Sequence, residues 1–350
     1  MMINTVFIPP NPKKIHKDMP KCNLHTHLEG SVRPETFLAL ADKQKVKLPF
    51  NKNQILDFIQ VSGVEKTLVD YLNKIMINYQ VLKDYQALKQ VAYEAAEDAH
   101  KDGVIYIELR AGPLTHSHDD LSIEACIEAM LDGLQEAQTK FGIITGLILS
   151  GLRNHETNKN IILAKIAKKY QDKGVVGFDL AGDEVGYSAE LHQEAFTIIR
   201  DSDLGITVHA GEAAGYENVQ YAINNLNASR IGHGVKSIES KSTMELIKER
   251  KILLEICPTS NIHTGTVESI ESHPVKEFFD SGIEISIGDD DPITSRTKVS
   301  NELTLLLNTF GFSNNELLKI QLSSVDHSFL KDDLIKHQLK EKIQEFEQFF

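Results

Sequence analysis

Eight short, nearly all-apolar runs recur along this chain, each separated from the next by a stretch of helical periodicity. They are Cys22–Leu28, Val104–Arg110, Ile143–Leu149, Val175–Leu180, Ile206–His209, Arg230–His233, Ile252–Ile256 and Ile283–Ile287. A strand wet on one face alternates apolar with polar residues. A strand covered on both faces loses that alternation, as parallel sheets sheathed in helices require. Eight such units in a chain of 350 residues predict a (β/α)8 TIM barrel. The competing architecture, an open doubly wound sheet, would carry a glycine-rich phosphate loop after an early strand. No Gly-Xaa-Gly-Xaa-Xaa-Gly stands there, and no domain boundary or low-complexity stretch interrupts the pattern.

Three stretches lie outside the simple alternation, within what reads as one domain over residues 1–350. Residues 1–20 read as an extended arm, with Pro9, Pro10 and Pro12 breaking any helix. Residues 34–103 form a helical insertion after the first strand, opened by Pro34 at a first-turn position. It contains Leu68, Tyr71, Leu72 and Ile75, an i, i+3, i+4, i+7 stripe whose first meaning is helical core packing. After the last strand, Glu302–Asn308 and Asn314–Gln321 read as helices, and residues 331–350 as a helical tail.

Composition narrows the setting. A net charge of −13 argues against nucleic acid as the main partner, because phosphate binding needs clustered Lys and Arg. Three cysteines without a Cys-Xaa-Xaa-Cys pair make no disulfide framework. The N-terminus lacks the sustained apolar core of a signal peptide, and no run is long enough to span a bilayer. The expectation is a cytoplasmic enzyme with a small-molecule partner, no membrane and no nucleic acid.

Barrel enzymes carry their reactive groups at the C-terminal ends of the strands, and polar residues costly in a core recur there. His25 and His27 close strand one, two residues apart and therefore on one face. Asp179 and Gly182-Asp183-Glu184 follow strand four; His209-Ala210-Gly211-Glu212 ends strand five; Gly232-His233-Gly234 ends strand six; Asp289-Asp290-Asp291-Pro292 ends strand eight. Taken singly, each has a plain explanation such as a helix cap or a satisfied core histidine. Together they supply three imidazoles from His25, His27 and His209 and one carboxylate from the strand-eight cluster, a donor set that suits Zn²⁺ with a position left for water. Zinc lowers the pKa of such a water towards about 7. Strand four holds no lysine to bridge a second metal, so one ion per chain is expected.

His25-Thr26-His27-Leu28-Glu29-Gly30, Asp179–Glu184, His209–Glu212, Arg230–Gly234, Cys257-Pro258-Thr259-Ser260-Asn261 and Asp290-Asp291-Pro292 as a set resemble the adenosine deaminases, from about Pro20 to Leu330. The resemblance implies that His25, His27, His209 and Asp290 bind zinc, that Glu212 protonates N1 of the purine, and that His233 orients and deprotonates the attacking water. It further implies that Asp291 meets N7, that the Gly182 backbone meets N3, and that the helix carrying Leu68 and Leu72 covers the ribose. Cys257-Pro258 does not match the Pro-Cys-Xaa-Xaa-Cys of the cytidine-type zinc deaminases, which excludes that architecture. Hydroxide attack at C6 breaks ring conjugation, so N1 must gain a proton, and a buried carboxyl can supply it.

Two positions depart from the family pattern. Glu29 stands where those enzymes usually carry the aspartate that receives the ribose 5′-hydroxyl, and Gly288-Asp289 replaces the usual Asn-Thr. The expected substrates are adenosine and 2′-deoxyadenosine; adenine or a 5′-modified adenosine is the alternative. A catalytically dead barrel serving as a binding module is the non-enzymatic alternative, which the survival of Glu212 and His233 disfavours. His116 and His118, in a polar loop, are expected to face solvent. Arg110 and Arg153 are expected to brace the barrel's carboxylates.

Overall fold

The structure is a computed structural model that describes residue 15, residues 18–65 and residues 67–349. The expected arm falls outside the described residues, apart from Ile15 and residues 18–20. Eight parallel strands follow one another in chain order as a single ring: β1 (Lys21–His27), β2 (Val104–Ala111), β3 (Ile144–Leu152), β4 (Val175–Ala181), β5 (Gly205–Ala210), β6 (Arg230–His233), β7 (Leu253–Ile256) and β8 (Ile285–Ile287). Helices lie between them, so the chain is a (β/α)8 barrel.

The seam between β8 and β1 is narrow. Thr26 and Asp290 form a lone bridge there, with the Asp290 N–H donating to the His25 carbonyl at 3.0 Å and the His27 N–H to the Asp290 carbonyl at 2.7 Å. The closure of the barrel and the approach of Asp290 to the β1 histidines are thus one event. Strand β3 continues beyond the apolar run that closes at Leu149 and ends beside Arg153, because Ser150 and Gly151 keep pairing with Asp179 and Leu180 of β4.

Barrel interiors of this class are usually filled by branched apolar residues. This one carries a band of fully buried charge. The Arg230 Nε donates to Glu255 Oε1 at 2.7 Å and its Nη2 lies 2.6 Å from Glu108 Oε2, while the Arg110 Nη2 donates to the other Glu255 oxygen at 2.8 Å. Glu108 also accepts the Tyr106 hydroxyl and the Phe329 N–H. Each ion has a partner, so removing one member would strand its neighbours, a cost of about 3–5 kcal/mol. Arg110 braces carboxylates as expected. Arg153 does not: its Nη2 and Nη1 donate to the carbonyl oxygens of His209 and Tyr187.

Among the described residues the insertion carries four α-helices, Pro34–Gln44, Ile55–Ile59, Leu68–Met76 and Tyr85–Lys101. Thr67 and Asp84 cap the last two by accepting the backbone N–H groups of Asp70 and Ala87. Arg33 ties the start of the insertion to its end through Glu97 and Asp98, both at 2.6 Å. The helix Leu68–Met76 buries Leu68, Tyr71 and Ile75 with Val61, and Leu72, Tyr79 and Ala213 pack partly buried against them. That small cluster roofs the C-terminal face of the barrel. The tail forms a helix, Asp333–Glu345, anchored by buried Leu339 and Ile343. No helix among the described residues is long and apolar enough to cross a membrane.

Candidate active site

Strand β1 sends His25 and His27 to the same end of the barrel, where β5 delivers His209 and the residue row after β8 delivers Asp290. The ligand atoms of these four side chains lie within 4.8 Å of one another. The Nε2 atoms of His27 and His209 are 3.2 Å apart, and Asp290 Oδ1 is 3.3 Å from the Nε2 atoms of both His25 and His27. Asp290 takes up a positive φ of 57°, and His233 one of 64°, both rarely populated by residues other than glycine or asparagine. Close approach on this seam also demands Gly288: a Cβ there would stand 2.6 Å from the His25 carbonyl oxygen.

The polarity of the cluster is set from behind. His25 Nδ1 lies 2.9 Å from Glu255 Oε2, and His209 Nδ1 lies 3.1 Å from Asp179 Oδ1. A carboxylate can only accept, so both Nδ1 atoms carry the proton and both Nε2 lone pairs turn inward. Inward lone pairs facing each other and a carboxylate are repulsive unless a cation lies between them. His25 Nε2 is buried with no hydrogen-bond partner, the orphan that such a cation would satisfy. Three imidazoles and a carboxylate oxygen match zinc's preferred donors. A second grouping, His233 with Cys257 and Asp290, shares the aspartate. Burial, with the charge of Asp290, pushes the Cys257 thiol well up.

A cavity of about 500 Å³ opens over this cluster. Its lining includes His27, His209, His233, Glu212, Asp290 and Asp291 on the barrel side, Glu29 and Gly182 at the flanks, and Leu68, Leu72 and Tyr79 on the roof. All eleven candidate residues from the sequence therefore line the cavity or stand in its ligand cluster. The Leu68 stripe is both packing and pocket wall. Gly182 holds φ at +97°, a conformation that side-chain-bearing residues seldom adopt.

Glu212 lies 3.6 Å from His233 Nε2 through its Oε2. Burial first, then the charges of Asp290 and Glu184, push its carboxyl well above the ordinary value. Asp291 behaves alike, raised by burial and by the charge of Asp290. Its Oδ2 accepts the Tyr71 hydroxyl at 3.0 Å, whereas Oδ1 is buried without a partner. The site thus contains one carboxylate aimed at the cation position and two carboxyl groups biased towards their protonated forms.

Glu29 has a different character. Its Oε1 accepts the Gly112 N–H at 3.0 Å and a hydrogen bond from His116 Nε2 at 2.8 Å. Burial alone would raise its pKa, but these two donors hold it below the ordinary value. His116 is therefore a correction: it is 1% exposed and turned inwards on Glu29, not out to solvent. The short helix Pro113–His116 after β2 folds it under, which a polar Thr-His-Ser-His string conceals. His118 is exposed, as expected.

Some functional side chains went unassigned in the sequence. Glu184 lay inside a recognised motif without a role, and Glu255 sat within an apolar strand. Asn261 gave no signal of its purpose. A charged residue interrupting an otherwise apolar strand was the available clue for Glu255.

A family model described as Adenosine deaminase matches residues 20–346. An adenosine deaminase from Clostridium botulinum (strain Langeland / NCTC 10281 / Type F) is 38% identical over 330 residues, spanning 94% of this chain and 98% of the relative. Among solved structures, an adenine deaminase from Arthrobacter aurescens superposes with a TM-score of 0.86 at 23% identity, covering 94% of this chain and 99% of that one. The N6-methyl-AMP deaminase from Arabidopsis thaliana superposes with a TM-score of 0.84 at 27% identity, covering 95% and 98%.

Proposed function

The chain belongs to the adenosine deaminase family, and on that premise we propose that it hydrolyses adenosine and 2′-deoxyadenosine to inosine and 2′-deoxyinosine with release of ammonia. The observation that carries the reading is the buried Glu212 carboxyl, biased towards its protonated form, beside a four-ligand cation cluster in one cavity. His25, His27, His209 and Asp290 would hold one zinc ion. That ion, when bound, makes hydroxide available near neutral pH.

The protein's own groups account for the rest. Glu212 gives its proton to N1, so that C6 becomes electrophilic as oxygen adds to it. His233, 3.9 Å from Asp290 Oδ2 through Nε2, fixes the direction of that attack. The C6–N6 bond then breaks as the proton of the added hydroxyl passes to N6, so nitrogen leaves as ammonia and the oxygen stays on C6 as a carbonyl. N7 of a purine can only accept, so Asp291 must donate to it, and burial with the charge of Asp290 biases its carboxyl towards the protonated form that can. Gly182 meets the N3 edge with its backbone, and Leu68 and Leu72 enclose the sugar.

Substrate choice turns on Glu29. Its Oε1 is engaged by Gly112 and His116, while among the described residues no hydrogen bond involves Oε2. An ionised carboxylate with a free oxygen accepts a hydroxyl well and repels a phosphate, which favours a nucleoside over a 5′-nucleotide. Adenine or an adenosine altered at the 5′ position is the second reading, favoured by the extra reach of Glu29 into that end of the cavity. The test is turnover of adenosine, 2′-deoxyadenosine, adenine and AMP by the purified zinc-loaded protein, followed by the ultraviolet change of the purine. Adenosine turned over faster than adenine and AMP supports the proposal; faster turnover of adenine overturns it.

A further inference from the structure

Behind His233 runs a chain of three hydrogen bonds whose direction is fixed at its far end. The Val275 backbone N–H, which can only donate, lies 3.1 Å from His273 Nδ1. His273 Nδ1 is therefore an acceptor, and the ring's proton sits on Nε2. That nitrogen stands 3.1 Å from Asn261 Oδ1 and donates to it. The amide is thereby oriented, and its Nδ2 points at His233 Nδ1 across 3.0 Å. An amide nitrogen is a donor only. His233 Nδ1 must then be an acceptor.

We propose that Asn261 and His273 are positioning residues that set the tautomer of His233, placing its proton on Nε2, the nitrogen that faces Glu212 and Asp290. Every member of the chain is buried: His233 is 1% exposed, Asn261 0% and His273 4%. Reversing any one of these bonds would set two donors against each other, at a cost of about 1–3 kcal/mol. Burial also drives the His273 pKa down to about 3, so the ring stays neutral and the relay keeps its direction across the working pH range. His273 lies 40 residues beyond His233 in sequence and enters from the segment before the helix Val275–Asp280, outside the cavity lining.

The consequence is chemical. With Nε2 already protonated, His233 holds the attacking oxygen by donating a hydrogen bond to it, and that nitrogen is not free to take a proton. Of the two roles that the sequence pattern implied for His233, orienting the water is kept and deprotonating it is given up. This kinetic consequence depends on the purine deaminase reading; the tautomer itself does not.

The experiment uses the full-length, zinc-loaded protein with 15N-labelled histidine, in two-dimensional spectra that correlate ring protons with ring nitrogens. His233 is assigned by the signals missing from His233→Gln. The expected pattern near neutral pH is an unprotonated Nδ1 and a protonated Nε2. Asn261→Asp should reverse it, because a carboxylate accepts from Nδ1–H, with kcat falling about 10–100-fold and KM and zinc content little changed. His273→Phe keeps the edge contact with Phe310 but frees the Asn261 amide to turn. Signals of both tautomers and a smaller loss of kcat are then expected. A protonated Nδ1 in the unmodified protein overturns the proposal, as does an unchanged pattern in a folded Asn261→Asp. If the variants do not fold, the unmodified protein's spectrum decides alone. Failure of the whole purine panel would refute the substrate reading and leave this spectrum as decisive as before.

Discussion

Glu184 accepts the backbone N–H of Glu212 at 3.0 Å, so a carboxylate holds the backbone from which a raised carboxyl group projects. The same side chain also accepts from the N–H groups of Gly211, Ala213 and Ala214, at 2.6, 2.8 and 3.0 Å, and from the Asn218 amide at 3.0 Å. Five donors converge on two oxygens, and the turn that leaves β5 has its shape because of them. Glu184→Ala should destabilise the fold by about 2–4 kcal/mol, since several N–H groups lose their partner at once. Thermal unfolding measures this directly, and kcat should fall in the same variant because the acid loses its support. A Tm within experimental error of the unmodified protein would show that the turn stands without Glu184.

The second prediction concerns the acid itself. Burial and the neighbouring charges of Asp290 and Glu184 keep the Glu212 carboxyl raised, so its protonated form persists to higher pH than an ordinary glutamate's. The proposed proton transfer to N1 requires that form. It should therefore be lost as pH rises through the raised value, giving an alkaline limb in the pH profile of kcat/KM. Glu212→Gln should lower kcat by about 10²–10⁴-fold with little change in zinc content. Glu184→Gln removes one of the charges that raise Glu212 and should move the alkaline limb to lower pH. A Glu212→Gln protein that keeps most of its kcat on every purine tested would remove the proton-donor role.

Which parts of this were legible in the sequence follows from the distance over which each part is specified. His25 and His27 share a face because strand geometry has a period of two, and His209 and Glu212 stand three residues apart across a turn of Ala210 and Gly211; both are local facts. The barrel was legible for the same reason, since each buried strand announces itself by losing its polar alternation. Glu255 acts on His25 from 230 positions away, and nothing near it in the chain says so. Arg153 points at carbonyl oxygens because β3 continues through Ser150-Gly151, a pairing decided by the neighbouring strand. His116 is buried because a four-residue helix turns it under Glu29, and a polar string carries no period that could reveal this.

Metal removal gives a third prediction. Chelation should abolish turnover, and zinc should restore it. Because the cation binds the folded cluster and not the unfolded chain, the zinc-loaded protein should unfold at a higher temperature than the stripped one, by an amount that grows with free zinc. Asp179→Asn weakens the acceptor that holds His209 Nδ1–H, 3.1 Å away, and should reduce zinc affinity by about 10–100-fold. Equal zinc affinity in the variant would mean that the orientation of His209 is set elsewhere.

Glu29 offers a test that separates sugar recognition from chemistry. Glu29→Gln removes the charge while keeping the shape: the amide oxygen can still accept from the Gly112 N–H and His116, but an NH2 group replaces the second oxygen and cannot accept from a hydroxyl. KM for adenosine should rise by about 10-fold, the worth of one charge-assisted hydrogen bond. Turnover of any adenine accepted by the site should be unaffected, because a free base has no 5′ end to lose. Equal effects on nucleoside and base would place Glu29 outside the sugar contact.

The last prediction concerns acid stability. His273 is buried, and desolvation lowers its pKa from 6.5 to about 3. Above 6.5 the ring is neutral in both the folded and the unfolded chain, and it has no effect on the balance between them. Below that value the unfolded chain takes up a proton that the folded one refuses, so stability is lost as pH falls, by about 1.4 kcal/mol per pH unit for this one site. The loss continues until the folded form also titrates, near 3. His273→Phe cannot bind the proton in either state. Its unfolding free energy, measured in denaturant at pH values between these limits, should fall less steeply with acid than that of the unmodified protein, even where its stability at neutral pH is lower. Parallel slopes for the two proteins would mean that His273 is already protonated in the fold, and the direction of the relay through Asn261 would fail with it.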